Sequence, residues 1–160
     1  MSLVIRDTVR ADAPIILEFI RALAVYERLE REVVATEGDV VRELFGASPK
    51  VFCQIAEVDG RSAGFALWYY TFSTFQGRHG IWLEDLFVNP DTRGHGVGKA
   101  LLTDLARRCE REGLGRYEWA VLDWNQPSID FYVSQGAMFL DDWRRARVTG
   151  DALVRLGSAA

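Results

Sequence analysis

Apolar residues recur along the chain with two different periods, and the change of period separates predicted helices from predicted strands. A short strand is expected over residues 3–9. The apolar stripe of the first helix recurs every three to four positions and comprises Ile16, Phe19, Ile20 and Leu23. We expect Asp12 to cap this helix, because Asp is a preferred N-cap residue. Pro14 fits the first turn, where the N–H that proline lacks has no helix carbonyl to bind.

A second helix and three strands follow. The segment "TEGD" predicts a helix that begins at Thr36 with a capping box and ends at Gly46. From Val51 onward the period becomes that of strands: "VFCQIAEV", a turn at Asp59-Gly60, "SAGFALWYYTF", and "GIWLEDLFV" after a glycine-bearing loop. These segments predict an antiparallel meander of about three strands.

The remainder of the chain returns to alternating helices and strands. After Pro90 an apolar stripe predicts a helix that ends at Gly113, and a strand is expected near residues 117–122. Asn125 is expected to cap a helix through "PSIDFYVSQ" to Gly136, and the tail "DALVRLG" to form a last strand. No repeat or linker interrupts these elements, so we predict one mixed α/β domain over residues 1–160.

Composition and charge exclude several classes of protein. The net charge of -4 does not suit a nucleic-acid partner, and no apolar run is long enough to span a membrane. The N-terminus lacks the pattern of a secretory signal, and Cys53 and Cys109 are expected to be free thiols in a reducing cytoplasm. His79 and His95 are the only histidines, so no metal site is expected.

The segment "RGHGVG" carries the first candidate chemistry. A strand, a glycine-rich turn and a helix start together form an anion site, because glycines let several backbone N–H groups converge on an oxyanion. A Walker loop is excluded, since Arg93 stands where it needs a glycine and Ala100 where it needs a hydroxyl. The glycines at 94, 96 and 98 also do not fit the Rossmann spacing. A plain glycine-rich surface turn is the alternative.

The loop resembles the Arg-x-x-Gly-x-Gly pyrophosphate loop of the GNAT acetyltransferases. The blocks "LAVYERLEREVVATEGD", "GFALWYYTFSTFQGRHGIWLEDLFVNPDTRGHGVG" and "DWNQPSIDFYVSQGA" are similar to those of diamine (spermidine/spermine) and thialysine N-acetyltransferases. The resemblance covers residues 4–156. It implies an α/β (α+β) fold, with a mixed, mostly antiparallel twisted sheet of about six or seven strands and helices on both faces.

The resemblance also implies acetyl-CoA as cofactor and the residues that hold it. In this family one strand splays from its neighbour and pairs with the pantetheine arm, a role that falls to Leu86, Phe87 and Val88. The pyrophosphate would lie on the loop, and the far side of the cofactor would meet the start of the next helix. The implied residues are Arg93, Gly94, His95, Gly96, Val97, Gly98 and Lys99 on the loop, and Asn125, Pro127, Ser128 and Tyr132 beyond it.

The implied reaction is acyl transfer to an amine that arrives protonated, so a base is required. By resemblance Glu84 takes this proton through water, Asp85 binds the cationic acceptor, and Tyr132 protonates the leaving thiolate. Consecutive strand residues face opposite sides, so Glu84 and Asp85 can share a cleft only if the strand is irregular there. A solvated strand end is the alternative for the two carboxylates, and plain core packing is the alternative for Tyr132.

Recognition of the acceptor is expected to fall to an acidic and aromatic cleft at the end of the first helix. Tyr26 and Glu27 are the substrate-binding candidates there, with Glu30, Trp68, Tyr70 and Phe75 as further possible members. The aromatic residues could equally close the core or a subunit interface. The resemblance implies a homodimer acting on a small primary amine. An acetyltransferase for protein amines and a non-catalytic acyl-CoA sensor are the competing hypotheses.

Overall fold

The computed structural model describes residues 1–159, which form two compact units. The first unit, Met1–Leu122, contains a five-stranded sheet and three helices; the second begins at Asp123 and contains two helices. The strands are β1 Leu3–Asp7, β2 Phe52–Val58, β3 Arg61–Ser73, β4 Arg78–Val88 and β5 Tyr117–Trp119. The helices are α1 Ala13–Tyr26, α2 Glu37–Phe45, α3 Val97–Glu112, α4 Gln126–Ser134 and α5 Gly150–Gly157.

The sheet has the order β1-β2-β3-β4-β5, in which the first four strands are antiparallel and β5 runs parallel to β4. The mixed, mostly antiparallel sheet is therefore confirmed, with five strands rather than six or seven. The prediction of a strand at "DALVRLG" is wrong, because this tail forms α5. Its consecutive apolar residues do not distinguish a helical from a strand period, and its backbone bonds are local, as from Ser158 N to Val154 O at 3.1 Å.

One face of the sheet is covered by α1 and α2. Ile16 and Phe19 of α1 pack in one apolar cluster with Ile55, Phe65 and Phe87 of the sheet, and the rings of Phe19 and Phe65 stack with centroids 5.3 Å apart. Because residues paired across antiparallel strands share a face, the cluster defines this side of β2, β3 and β4. We call it the α1 face.

The opposite face is covered by α3. Trp68, one position beyond the cluster residue Leu67, is 1% exposed and lies under Arg108 of α3, whose guanidinium carbon is 5.1 Å from the ring centroid. The Trp68 indole N–H donates to Gln54 Oε1 at 2.6 Å, which satisfies the buried Gln54 side chain. Helices therefore lie on both faces, as the sequence predicts.

The ends of the elements follow the predicted turn and cap residues with one exception. The Thr36 capping box forms in both directions, and α2 and α3 end at the predicted glycines. Asp12 precedes α1 as predicted, but its side chain makes no capping bond. Its carboxylate instead accepts hydrogen bonds from Arg6 at 2.8 and 2.9 Å and from Val9 N at 2.7 Å. A charged partner thus outcompetes the α1 N–H groups for this carboxylate.

Candidate active site

Strand β4 contains one residue more than its partner where the two acidic residues stand. Asp85 pairs with Leu67 of β3, but the next pair joins Leu83 to Trp68. Glu84 therefore has no partner on β3, which is the pattern of a β-bulge. The strand is irregular at the position where the sequence required it.

The bulge places both carboxylates on the α1 face. Asp85 shares the face of its partner Leu67, whereas Leu83 lies with Trp68 on the α3 face. The Glu84 carboxylate accepts a hydrogen bond of 2.7 Å from the indole N–H of Trp82, whose partner Tyr69 lies on the same side as Leu67. This Trp82 bond fixes the exposed Glu84 side chain beside Asp85.

A third carboxylate, Glu27, acts electrostatically on Asp85. Glu27 is the residue that ends α1. Burial is the largest cause that raises the pKa of Asp85 to about 7, followed by the charges of Glu84 and Glu27. The pKa of Glu27 is also raised, first by burial and then by Glu84. Glu84 thus acts on both of the other carboxylates, and the three side chains together form a negative site that a bound cation would stabilise.

The edge of β4 beyond these residues is open. Strand β5 pairs with β4 only at residues 81 to 83, so among the described residues no strand covers this edge from Glu84 to Val88. Main-chain groups of Leu86, Phe87 and Val88 can therefore pair with an extended ligand, although the Val88 carbonyl already accepts a bond from Arg93. The side chain of Phe87 is buried in the α1-face cluster.

The glycine loop ends at the N-terminus of α3. Gly94 and Gly96 have φ of 76° and 81°, and a Cβ at either position would meet no atom within 4 Å. The first intrahelical bond runs from Ala100 N to Gly96 O, so the N–H groups of Val97, Gly98 and Lys99 have no helix carbonyl to bind. Left-handed glycines, free N–H groups and open space above them fit a pyrophosphate.

Arg93 and His95, the two loop residues before α3 that have side chains, differ in their surroundings. His95 is exposed, with Nδ1 3.3 Å from the Thr92 carbonyl oxygen. Arg93 turns its guanidinium toward the end of α1, over the ring of Tyr26 with 5.0 Å from Cζ to the centroid. The sequence did not indicate this contact, since an arginine in a phosphate loop is ordinarily assigned to the phosphate.

On the expectation from the family resemblance that this loop binds acetyl-CoA, substituting Gly96 by Ala should weaken that binding about tenfold or more, because an L-residue at φ 81° costs roughly 1–2 kcal/mol and shifts the loop N–H groups. Isothermal titration of acetyl-CoA against the variant measures this. Gly77→Ala is the matched control, since Gly77 has φ 62° and equally open space in the β3–β4 turn. Equal affinities for the two variants would contradict a role of the loop in binding.

The remaining candidates lie in the second unit. Asn125 is 5% exposed and caps α4, with its side-chain oxygen accepting from Ser128 N at 3.4 Å. Pro127 stands in the first turn of this helix, as predicted. Tyr132 is buried, and its ring centroid is 5.4 Å from that of Phe131. The helix that the sequence predicted from Asn125 therefore forms with its cap.

Some aromatic residues considered for the acceptor cleft lie elsewhere. Trp68 belongs to the α3 face, opposite Asp85, and Tyr70 packs edge-on against it while donating its hydroxyl to Glu112 at 2.7 Å. Phe75 is 97% exposed in the turn between β3 and β4, and Glu30 is exposed in a short 3-10 helix. The structure therefore supports a role for Trp68 in closing the core rather than in binding the acceptor.

The described residues contain neither a metal-binding cluster nor a membrane-spanning helix. Across the described residues, no group of three or more His, Cys, Asp or Glu side chains is arranged to hold a metal ion. Within residues 1–159, no helix combines the length and apolar character that crossing a membrane requires. Cys53 and Cys109 are free thiols.

Strand β4 is bulged, carries two adjacent carboxylates and leaves one edge unpaired, and the glycine loop after it ends at a helix start. These are features of an N-acetyltransferase, and comparison with known proteins agrees. The acetyltransferase (GNAT) family matches residues 18–137. The chain belongs to this family.

Two named relatives span nearly the whole chain. Thialysine N-epsilon-acetyltransferase of Sus scrofa is 34% identical over 97% of both chains. L-ornithine N5-acetyltransferase NATA1 of Arabidopsis thaliana is 31% identical over 93% of this chain and 85% of its own. Among solved structures, the integron cassette protein VCH_CASS6 from the mobile metagenome of V. cholerae has a TM-score of 0.82 at 24% identity, covering 99% of each chain. This last similarity concerns the fold.

Proposed function

We propose that the protein transfers an acetyl group from acetyl-CoA to the primary amine of a small cationic acceptor, such as a polyamine, a diamine or a thialysine-like amino acid, by direct attack in a ternary complex. The observation that carries the proposal is the group of three carboxylates, Glu27, Glu84 and Asp85, beside an open strand edge. The names of the two relatives, which specify acetylation of side-chain amines, support it.

Acetyl-CoA supplies an activated thioester, and the chain's residues hold it at two places in the first unit. The N–H groups from Gly94 to Lys99 bind the pyrophosphate at the α3 N-terminus, where the helix dipole favours negative charge. Main-chain groups of residues 86–88 pair with the pantetheine arm along the open edge of β4. Asn125, Pro127 and Ser128 contribute to the cofactor from the start of α4.

The acceptor amine binds as a cation and must lose a proton before it attacks. Asp85 and Glu27 stabilise the ammonium form, since a positive charge favours the ionised state of carboxylates whose pKa values burial and, secondarily, neighbouring negative charges raise. Glu84, exposed and oriented by Trp82, accepts the proton through water. A main-chain N–H near Phe87 or Val88 stabilises the negative charge that develops on the acyl oxygen.

Tyr132 completes the reaction by donating its phenolic proton to the departing thiolate. A phenol with a pKa of about 10 can protonate a thiolate when its hydroxyl is within hydrogen-bond reach of the sulfur. The assignment rests on the match of "IDFYVSQGA" to the family block and on the burial of Tyr132.

We further propose that the chain works as a single domain in a cytoplasmic homodimer. The family match over residues 18–137 includes residues of both compact units, which supports one functional domain. The free thiols of Cys53 and Cys109 support a reducing compartment. The dimer is proposed from family resemblance.

Thiol release from acetyl-CoA in the presence of spermidine, putrescine, thialysine, ornithine, lysine or a lysine-containing peptide tests the function. Turnover with at least one small amine, well above release without amine, is the expected result. Glu84→Gln should lower kcat/KM about 10²- to 10⁴-fold, because the attacking amine then keeps its proton. Turnover on the peptide alone would favour a protein acetyltransferase. Binding of acetyl-CoA with no release for any amine would favour a sensor.

A further inference from the structure

The side chain of Arg93 lies away from the pyrophosphate loop to which its main chain belongs. Its Nε–H donates to the Val88 carbonyl at 3.0 Å, at the last residue of β4. Its guanidinium carbon is 5.0 Å from the centroid of Tyr26 and 5.8 Å from that of Phe87. One side chain therefore contacts the end of the open strand and the end of α1.

From these contacts we propose that Arg93 is a positioning residue that links the cofactor loop to the acceptor side of the site, by holding Tyr26 and the adjoining Glu27 in place. This inference rests on the proposed function. It assigns the Arg93 side chain to acceptor binding, whereas a loop arginine would otherwise be expected to act on acetyl-CoA alone.

The geometry requires the guanidinium group in particular. A planar cation can donate in its plane to the Val88 carbonyl while its face lies over an aromatic ring. A lysine ammonium carries the same charge but has no planar face and no Nε–H at that position along the side chain. Arg93→Lys therefore removes the geometry and retains the charge.

Along the chain, the first basic residue after α1 is Arg28, which follows Glu27 outside the helix. No basic residue stands in the last turn of α1, where the helix dipole leaves partial negative charge and where Glu27 adds a carboxylate. Arg93 brings a positive charge to this end from a different element. Because the Tyr26 ring already lies under this internal cation, the acceptor ammonium is left to the carboxylates rather than to that ring.

A double-mutant cycle tests the link, using Arg93→Lys, Tyr26→Leu and the combined variant. We expect each single change to raise KM for the best amine on the order of tenfold, with KM for acetyl-CoA within about twofold of wild type. The combined variant should be no worse than either single variant, since both remove the same contact. Lys99→Met is the matched control and should raise KM for acetyl-CoA instead.

Three results would overturn the inference: additive effects in the cycle, a rise in KM for acetyl-CoA alone with Arg93→Lys, or equal rises in both KM values with a lowered thermal midpoint. The last would indicate a merely structural role. If the wild-type protein acetylates no amine, the proposed function has failed separately. The link is then tested by the thermal midpoints of the same four proteins, for which non-additive losses are still expected and additive ones would count against it.

Discussion

Replacing Tyr132 by Phe is expected to lower kcat by about 10²- to 10⁴-fold, while KM for acetyl-CoA and for the amine change little. The substitution removes only the hydroxyl, so the departing thiolate must take its proton from water. The ring that packs 5.4 Å from Phe131 is retained, and α4 should form as before. Thiol release measured at saturating substrate gives kcat directly.

Tyr70→Phe is the matched control for the Tyr132 experiment. It also removes one phenolic hydroxyl, which donates to Glu112 on α3 and has no proposed role in the reaction. Its kcat should stay within about twofold of wild type. If Tyr132→Phe retained wild-type kcat, another group would protonate the thiolate, and Tyr132 would be a core residue of α4.

Replacing Asp85 by Asn is expected to stabilise the protein at pH 8 and to weaken amine binding. The folded pKa of Asp85 is about 7 against an ordinary value of 3.8. Between these values the folded state binds more protons than the unfolded state, so the free energy of unfolding falls as pH rises from about 4 to about 7. For a fully buried group, this shift in pKa corresponds to about 4 kcal/mol of unfolding free energy. Asp85 is only half-buried, so we expect solvent screening to reduce the effect to about 2 kcal/mol.

Urea unfolding of wild type and Asp85→Asn at pH 5, 6, 7 and 8 measures this effect. The wild-type protein should lose stability over the series, and the variant should lose much less. Glu84→Gln is the control: it removes one of the two neighbouring charges but not the burial that is the larger cause, so most of the pH dependence should persist. A pH dependence in Asp85→Asn as steep as in wild type would show that Asp85 titrates normally.

The same ionisation predicts how acceptor binding depends on pH. Ionised Asp85 attracts the ammonium, so KM for the amine should fall as pH rises through about 7 in wild type. In Asp85→Asn this fall should be largely lost, and KM should be higher than wild type at pH 8. Initial rates over an amine series at each pH distinguish this from a change in kcat. We therefore expect this carboxylate to contribute to amine binding at a cost in stability.

Local residue chemistry made many of the element boundaries predictable. Thr36 and Asp39 form a capping box within four residues, and Gly113 ends α3 in the left-handed conformation that glycine favours. Such features depend on neighbours along the chain and are visible in one sequence. The tail was not predictable in this way, because a strand exists only if another strand pairs with it, and α5 forms its backbone bonds internally.

The sequence predicted candidate residues for the site but not the contacts between them. Two adjacent acids in an apolar strand indicated either a bulge or one outward carboxylate, and only the register of β3 on β4 decides between them. The contact between Arg93 and Tyr26 joins residues 67 positions apart, and no local pattern encodes it. The sequence therefore proposed candidate residues, and the tertiary structure supplied the contacts between them.

The bulge makes Glu84, the proposed base, an extra residue in the pairing of β4 with β3. Side chains of β4 alternate between the two faces of the sheet up to Leu83, and the same alternation continues from Asp85 onward. Glu84 is inserted between these two stretches and has no partner on β3. Deleting residue 84 would leave every other β4 side chain on its present face. The sheet can thus gain or lose this carboxylate by insertion or deletion of one codon, and a deletion variant should fold with an unaltered core while lacking the group proposed to accept the proton.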